Sequence, residues 1–74
     1  MAKDVQRVKF GRHLARLRRQ SMMTVEQLAE MADLQPATIR NIEAGAFNVQ
    51  FDVLNRLAVV LGGELQIVLN DLSE

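Results

Sequence analysis

Seven of the nine basic side chains crowd into the first twenty residues: Lys3, Arg7, Lys9, Arg12, Arg16, Arg18 and Arg19, opposed there only by Asp4. That end carries a formal charge of +6, and residues 21–74, with Arg40 and Arg56 against eight acids, carry −6. The zero net charge of the whole chain therefore hides a dipolar distribution. A segregated basic block is suited to an anionic partner such as nucleic acid, and equally to a solvated helix face. Catalytic chemistry has little to work with. The one histidine, His13, lies among Arg12 and Leu14 and reads as a solvated helix position; the serines are Ser21 and Ser73 alone. There is no cysteine, which excludes disulfides and thiolate metal sites, and one histidine cannot form a metal cluster. No glycine-rich phosphate loop or metal-ligand spacing occurs. Neither a cofactor nor enzymatic activity is expected. Three Phe without Tyr or Trp give a poor stacking platform for single-stranded RNA.

The elements that would position these groups follow from length and periodicity. A chain of 74 residues with 49% apolar side chains has room for one small folded domain. Its longest apolar run, Leu57 to Leu61, is far short of the roughly 20 residues of a membrane span, so no membrane partner is expected. Phe10, Leu14 and Leu17 form one helical stripe over residues 7–20, while Val5 and Val8 fall off it, so residues 1–6 are expected as a basic arm. Thr24 followed by Gln27 is a capping box that starts a helix through Val25, Leu28, Ala29 and Ala32, with Met23 stapled onto Leu28. Asp33-Leu34 makes a short turn. Pro36 opens a third helix over 36–44, with Ile39 and Ile42 inward and Gly45 just past its end. After a loop, Asp52 is expected to cap a fourth helix carrying Val53, Leu54, Leu57, Ala58 and Leu61, which Gly62-Gly63 stops. Residues 64–70 alternate as a strand, with Leu65, Ile67 and Leu69 on one face, and 71–74 form a tail.

Two short helices joined by a tight turn describe a helix-turn-helix. Ala29 is small where the helices would approach, Leu34 plugs the turn, and the second helix begins with Gln35, Pro36, Ala37 and Thr38, leaving its outer face free to enter a groove. The strings FGRHLARLRRQ, TVEQLAEMADLQPATIRNIEAG and FDVLNRLAVVLGG resemble the lambda-repressor-like, Cro/CI-type (XRE family) helix-turn-helix domain from residue 10 to about 62. The resemblance implies an all-α fold, a compact bundle of four to five helices that binds double-stranded DNA.

The same resemblance assigns roles to positions. The third helix corresponds to the recognition helix, with Gln35, Pro36, Ala37, Thr38, Arg40 and Asn41 at its reading positions. The amides of Gln35 and Asn41 suit an adenine edge, Arg40 a guanine or a phosphate, and Ala37 and Thr38 a thymine methyl. Pro36 is better understood as a helix starter. Thr24, Val25 and Asn48 stand at positions that contact DNA phosphate, although Val25 replaces the usual Gln and cannot grip an anion with its side chain. Arg18 and Glu43 match a largely buried structural ion pair. Asp33 and Met22 each stand where the family usually has Gly. Independently of the resemblance, Lys3, Arg7 and Lys9 at the basic end are expected to reach phosphate.

A single strand cannot satisfy its own backbone, so residues 64–70 are expected to pair with their copy in a second chain, making a homodimer whose two recognition helices address half-sites about 34 Å apart or a multiple of it. The expected function is a sequence-specific transcriptional regulator, a repressor by preference, on a palindromic operator. An antitoxin that neutralises a partner toxin and controls its own operon remains the alternative. The absence of cysteine fits a reducing, cytoplasmic setting, and the resemblance implies a bacterial or phage-type, nucleoid-associated one.

Overall fold

A computed structural model describes the backbone of residues 2–46, 50–63 and 65, and side chains from residue 5 onward. Among the described residues four helices follow one another: α1 (Ala2–Gln20), α2 (Val25–Ala32), α3 (Pro36–Glu43) and α4 (Phe51–Leu61). No strand occurs among the described residues.

Each helix of the central corner begins and ends for a local reason. The Thr24 Oγ1 accepts from the Gln27 N–H at 3.0 Å, and the Gln27 Oε1 accepts from the Thr24 N–H at 2.8 Å, so two donors that the first turn of α2 leaves without partners are satisfied reciprocally. Pro36 stands in the first turn of α3, where its fixed φ is pre-set and no N–H is missed.

The first three helices end in one motif. Past α1 the Met22 N–H donates to the Arg19 carbonyl and the Met23 N–H to that of Arg18; past α2 Asp33 and Leu34 donate to Glu30 and Ala29; past α3 Gly45 and Ala46 donate to Ile42 and Asn41. This is the Schellman pattern, which requires a left-handed residue. The residues that supply it are Met22 (φ 59°), Asp33 (φ 58°) and Gly45 (φ 76°). Only the last has no Cβ to strain.

The core gathers Phe10, Leu14 and Leu17 of α1, Leu28, Ala29 and Ala32 of α2, Ile39 and Ile42 of α3, and Leu54, Leu57 and Ala58 of α4, with Met23 and Leu34 packed on it from the joints. Gly11 lets α1 approach the C-terminal end of α3: a Cβ at this position would lie 2.9 Å from the Glu43 carbonyl oxygen and closer still to that of Ile42.

Several expectations need correction. Helix α1 begins at Ala2, so residues 2–6 continue the helix instead of forming an arm; Val5 and Val8 remain exposed because they lie off its inward stripe. Asp52 does not cap α4. The cap is Gln50, which offers no side-chain hydrogen bond, and Asp52 sits inside the first turn. Its carboxylate there still opposes the positive end of the helix dipole. Leu65 is not part of an extended strand: its backbone is helical and its side chain is fully buried in the core of its own chain. Short apolar alternation cannot by itself separate strand from buried helix, and the demand of the core for one more apolar side chain decided this position. Ile67 and Leu69 lie outside the described residues, so the pairing of 66–70 does too.

Candidate nucleic-acid interface

The site is built on the corner between α2 and α3. Ala29 is buried at the meeting of the two helices, and its carbonyl accepts from the Leu34 N–H at 2.8 Å. Leu34 is half-buried against the core, which fixes the turn from inside. Arg56 of α4 braces the turn from outside by donating from Nη1 to the Asp33 carbonyl oxygen at 3.3 Å.

With Ile39 and Ile42 committed to the core and Glu43 turned to Arg18, α3 keeps one outer face. Gln35, Ala37, Arg40 and Asn41 are exposed, and Pro36 and Thr38 are half-buried. The Gln35 side chain makes no capping hydrogen bond. Thr38 and Asn41 also line a groove of about 260 Å³ that continues past Ala46 to Gln50. Gln50 was not apparent as a candidate from the sequence, because only the fold brings it to the same groove as Thr38 and Asn41.

Arg40 is engaged: its Nη2 donates to the Glu26 Oε2 in the first turn of α2. Both side chains remain more than half exposed, so the contact is a surface ion pair between the two helices of the corner. Glu26 was also missed from the sequence. Fourteen residues separate it from Arg40, and no local periodicity links them.

At the start of α2, Thr24 is exposed, while the Val25 side chain packs against the core. Any anion contact at Val25 would therefore fall to its backbone N–H, which in a helical first turn has no intrahelical acceptor. Asn48 lies outside the described residues, as does the side chain of Lys3.

Helix α1 carries its own cationic strip. Lys9, Arg12, Arg16 and Arg19 are exposed at helical spacing, and His13 is half-buried with its Nδ1 2.9 Å from the Arg16 Nη2. Arg7 is half-buried and belongs less to the strip than Lys9 does.

Arg18 behaves differently from its basic neighbours. Its Nε and Nη2 meet the Glu43 carboxylate at 2.6 and 3.1 Å, and its Nη1 donates to the Met23 carbonyl at 2.9 Å. Both side chains are mostly buried, at 12% and 14% exposure. The hydrogen bond to Glu43 raises the Arg18 pKa above its ordinary value, against the opposing effect of burial. Glu43 is thereby held as a structural partner, not as a free acid. Among the described residues no group of His, Asp and Glu could hold a metal ion, and no helix is long and apolar enough to cross a membrane.

A capped helix, a tight turn plugged by an apolar side chain, and a second helix with a polar outer face define a helix-turn-helix protein. A family model described as a helix-turn-helix domain matches residues 9–66, and the chain belongs to that family. This agrees with the Cro/CI-type resemblance, and it makes the protein a DNA-binding regulator in general terms; domains of this kind typically have no enzymatic activity. A comparison with curated proteins gives no match.

Proposed function

We propose that the protein is a sequence-specific repressor that lays α3 in the major groove of duplex DNA. The observation that carries this reading is the outer face of α3, where Gln35, Ala37, Arg40 and Asn41 stand exposed on a helix locked by its inner face to the core. Recognition helices of this class meet base edges with their N-terminal residues. Gln35 and Asn41 offer paired donor and acceptor groups for adenine, Arg40 offers its donors to guanine, and Ala37 and the Thr38 methyl suit thymine. Thr24 and the start of α2 approach phosphate, and Gln50 lines the groove beside Thr38 and Asn41. Lys9 and the neighbouring cations of α1 add attraction that does not depend on sequence.

The operator would be palindromic and the protein a homodimer upon it, because a short reading helix covers too few base pairs to select one site alone. Leu65 has no part in the seam, since the core of its own chain occupies it. Selection of bound duplexes from a random pool tests the reading: an enriched motif with two related half-sites supports it, and the absence of any enriched motif refutes it.

A second reading, an antitoxin with a protein partner, takes Met22, Met31 and Val59, large apolar side chains exposed at 90%, 60% and 76%, as candidate contacts for that partner. Co-purification of a stoichiometric partner from the native host would support it, and recovery of the chain alone would count against it.

A further inference from the structure

We infer that Glu26 is a positioning residue for base recognition: by holding Arg40, it makes that arginine a reader of guanine instead of a clamp on phosphate. The inference rests on the reading of α3 as the recognition helix. Arg40 is the only cation on the outer face of α3; its outward companions Gln35, Ala37, Thr38, Asn41 and Ala44 are all uncharged. An unrestrained arginine there would be drawn to the nearest phosphate, since the backbone offers charge at every step and base edges do not.

The Glu26 carboxylate changes that balance in three ways. It takes one donor of the guanidinium through Nη2 and restricts where the remaining donors can lie. A guanidinium has five N–H donors in a rigid fork, so enough remain for the O6 and N7 of one guanine. The carboxylate also offsets the charge of Arg40, which removes the face's own sequence-independent attraction. Finally, it is stabilised in place by the first turn of α2, where the helix dipole favours a negative group. The molecule thus separates two tasks. The cations along α1 supply general affinity, and an electrically neutral pair between α2 and α3 supplies discrimination. Sequence-independent grip at the reading face would otherwise strengthen wrong sites as much as right ones.

The test compares the wild type, Glu26→Gln, Arg40→Ala and the double variant by selection from a random duplex pool and by the salt dependence of binding to one selected duplex. Both residues are exposed, and circular dichroism verifies that all four proteins fold. The wild type is expected to select guanine at one position per half-site. Glu26→Gln should weaken that preference roughly tenfold, the scale of one well-made bidentate contact, and steepen the salt slope by about 0.9 as Arg40 turns to phosphate. Arg40→Ala should abolish the guanine preference, and Glu26→Gln should then change nothing further at that position. A wild type that selects a motif while Glu26→Gln keeps both the guanine preference and the salt slope overturns the inference and leaves the recognition reading standing. A wild type that selects no motif removes both.

Discussion

Arg18 near the end of α1 grips Glu43 at the end of α3 through two nitrogens, at 2.6 and 3.1 Å, and ties the same guanidinium to the Met23 carbonyl at the joint between α1 and α2. One mostly buried side chain thus connects the first helix, the joint that precedes α2 and the C-terminal end of α3. Loss of either partner strands the other charge out of water, at a cost of about 3–5 kcal/mol, a large part of the stability of a domain this small. Arg18→Ala and Glu43→Ala should each lower the urea midpoint steeply. Replacing both at once, as in Arg18→Met with Glu43→Leu, should recover most of the loss, because no unpaired charge then remains. Equal losses for the double and single variants would show that the pair's geometry, and not its charge balance, is what matters.

Gly11 is expected to tolerate no side chain. Alanine favours a helix over glycine by about 1 kcal/mol, so propensity alone predicts that Gly11→Ala stabilises the protein. The added methyl would instead press on the Glu43 carbonyl oxygen at 2.9 Å, and the opposed carbonyls belong to helix backbone that cannot move aside cheaply. A net loss of roughly 1–3 kcal/mol in thermal or urea unfolding is expected. A gain would show that α1 and α3 can separate without cost.

Met22 occupies a position that favours glycine. Its φ of 59° and 90% exposure mean that its side chain strains the backbone and buries almost nothing in return. Left-handed geometry costs a residue with a Cβ roughly 1–2 kcal/mol, and the greater entropy of glycine in the unfolded chain offsets about half of that. Met22→Gly should therefore stabilise the domain by up to about 1 kcal/mol, which corresponds to a rise in Tm of about 4–8 °C. Asp33→Gly should gain less, because aspartate accepts this geometry better than methionine does. A lower Tm for Met22→Gly would mean that the methionine has a packing role that its exposure hides.

How much of this was readable from the sequence depends on the range of the interaction. The Thr24–Gln27 box, Pro36 and the core positions Leu28, Ile39 and Leu57 follow from neighbours within a helical turn or two, and the structure has them there. The unsuitability of Met22 for its joint was also readable, from the residue type that usually stands there. Four features were not. The Glu26–Arg40 pair and the packing of Gly11 on Glu43 join residues that only tertiary folding brings together. The first turns of α1 carry no inward stripe, so periodicity could not reveal that the helix extends to Ala2. Leu65 looked like a strand residue because alternation over a few positions fits either geometry, and only its burial in the core resolves the matter.

The cations of α1 are expected to contribute affinity and not selectivity. Lys9→Gln and Arg12→Gln change exposed side chains on a helix other than α3. Each should flatten the dependence of log K on log salt by about 0.9 if its charge meets a phosphate. The base preference found by selection should be unchanged. An unaltered slope for the double variant would assign the strip to another partner.

The claim that α3 reads base edges is tested most directly by titrating a selected duplex and a scrambled duplex of the same length, at one salt concentration, with the wild type and with Asn41→Ala. Asn41 is exposed on the outer face of α3, so its truncation should leave the fold intact. The wild type should bind the selected duplex at least about 10³-fold more tightly than the scrambled one. Asn41→Ala should give up roughly 1–3 kcal/mol of that preference while its affinity for the scrambled duplex stays unchanged. Equal affinity of the wild type for the two duplexes, or an Asn41→Ala variant that weakens both alike, would contradict base recognition by this helix.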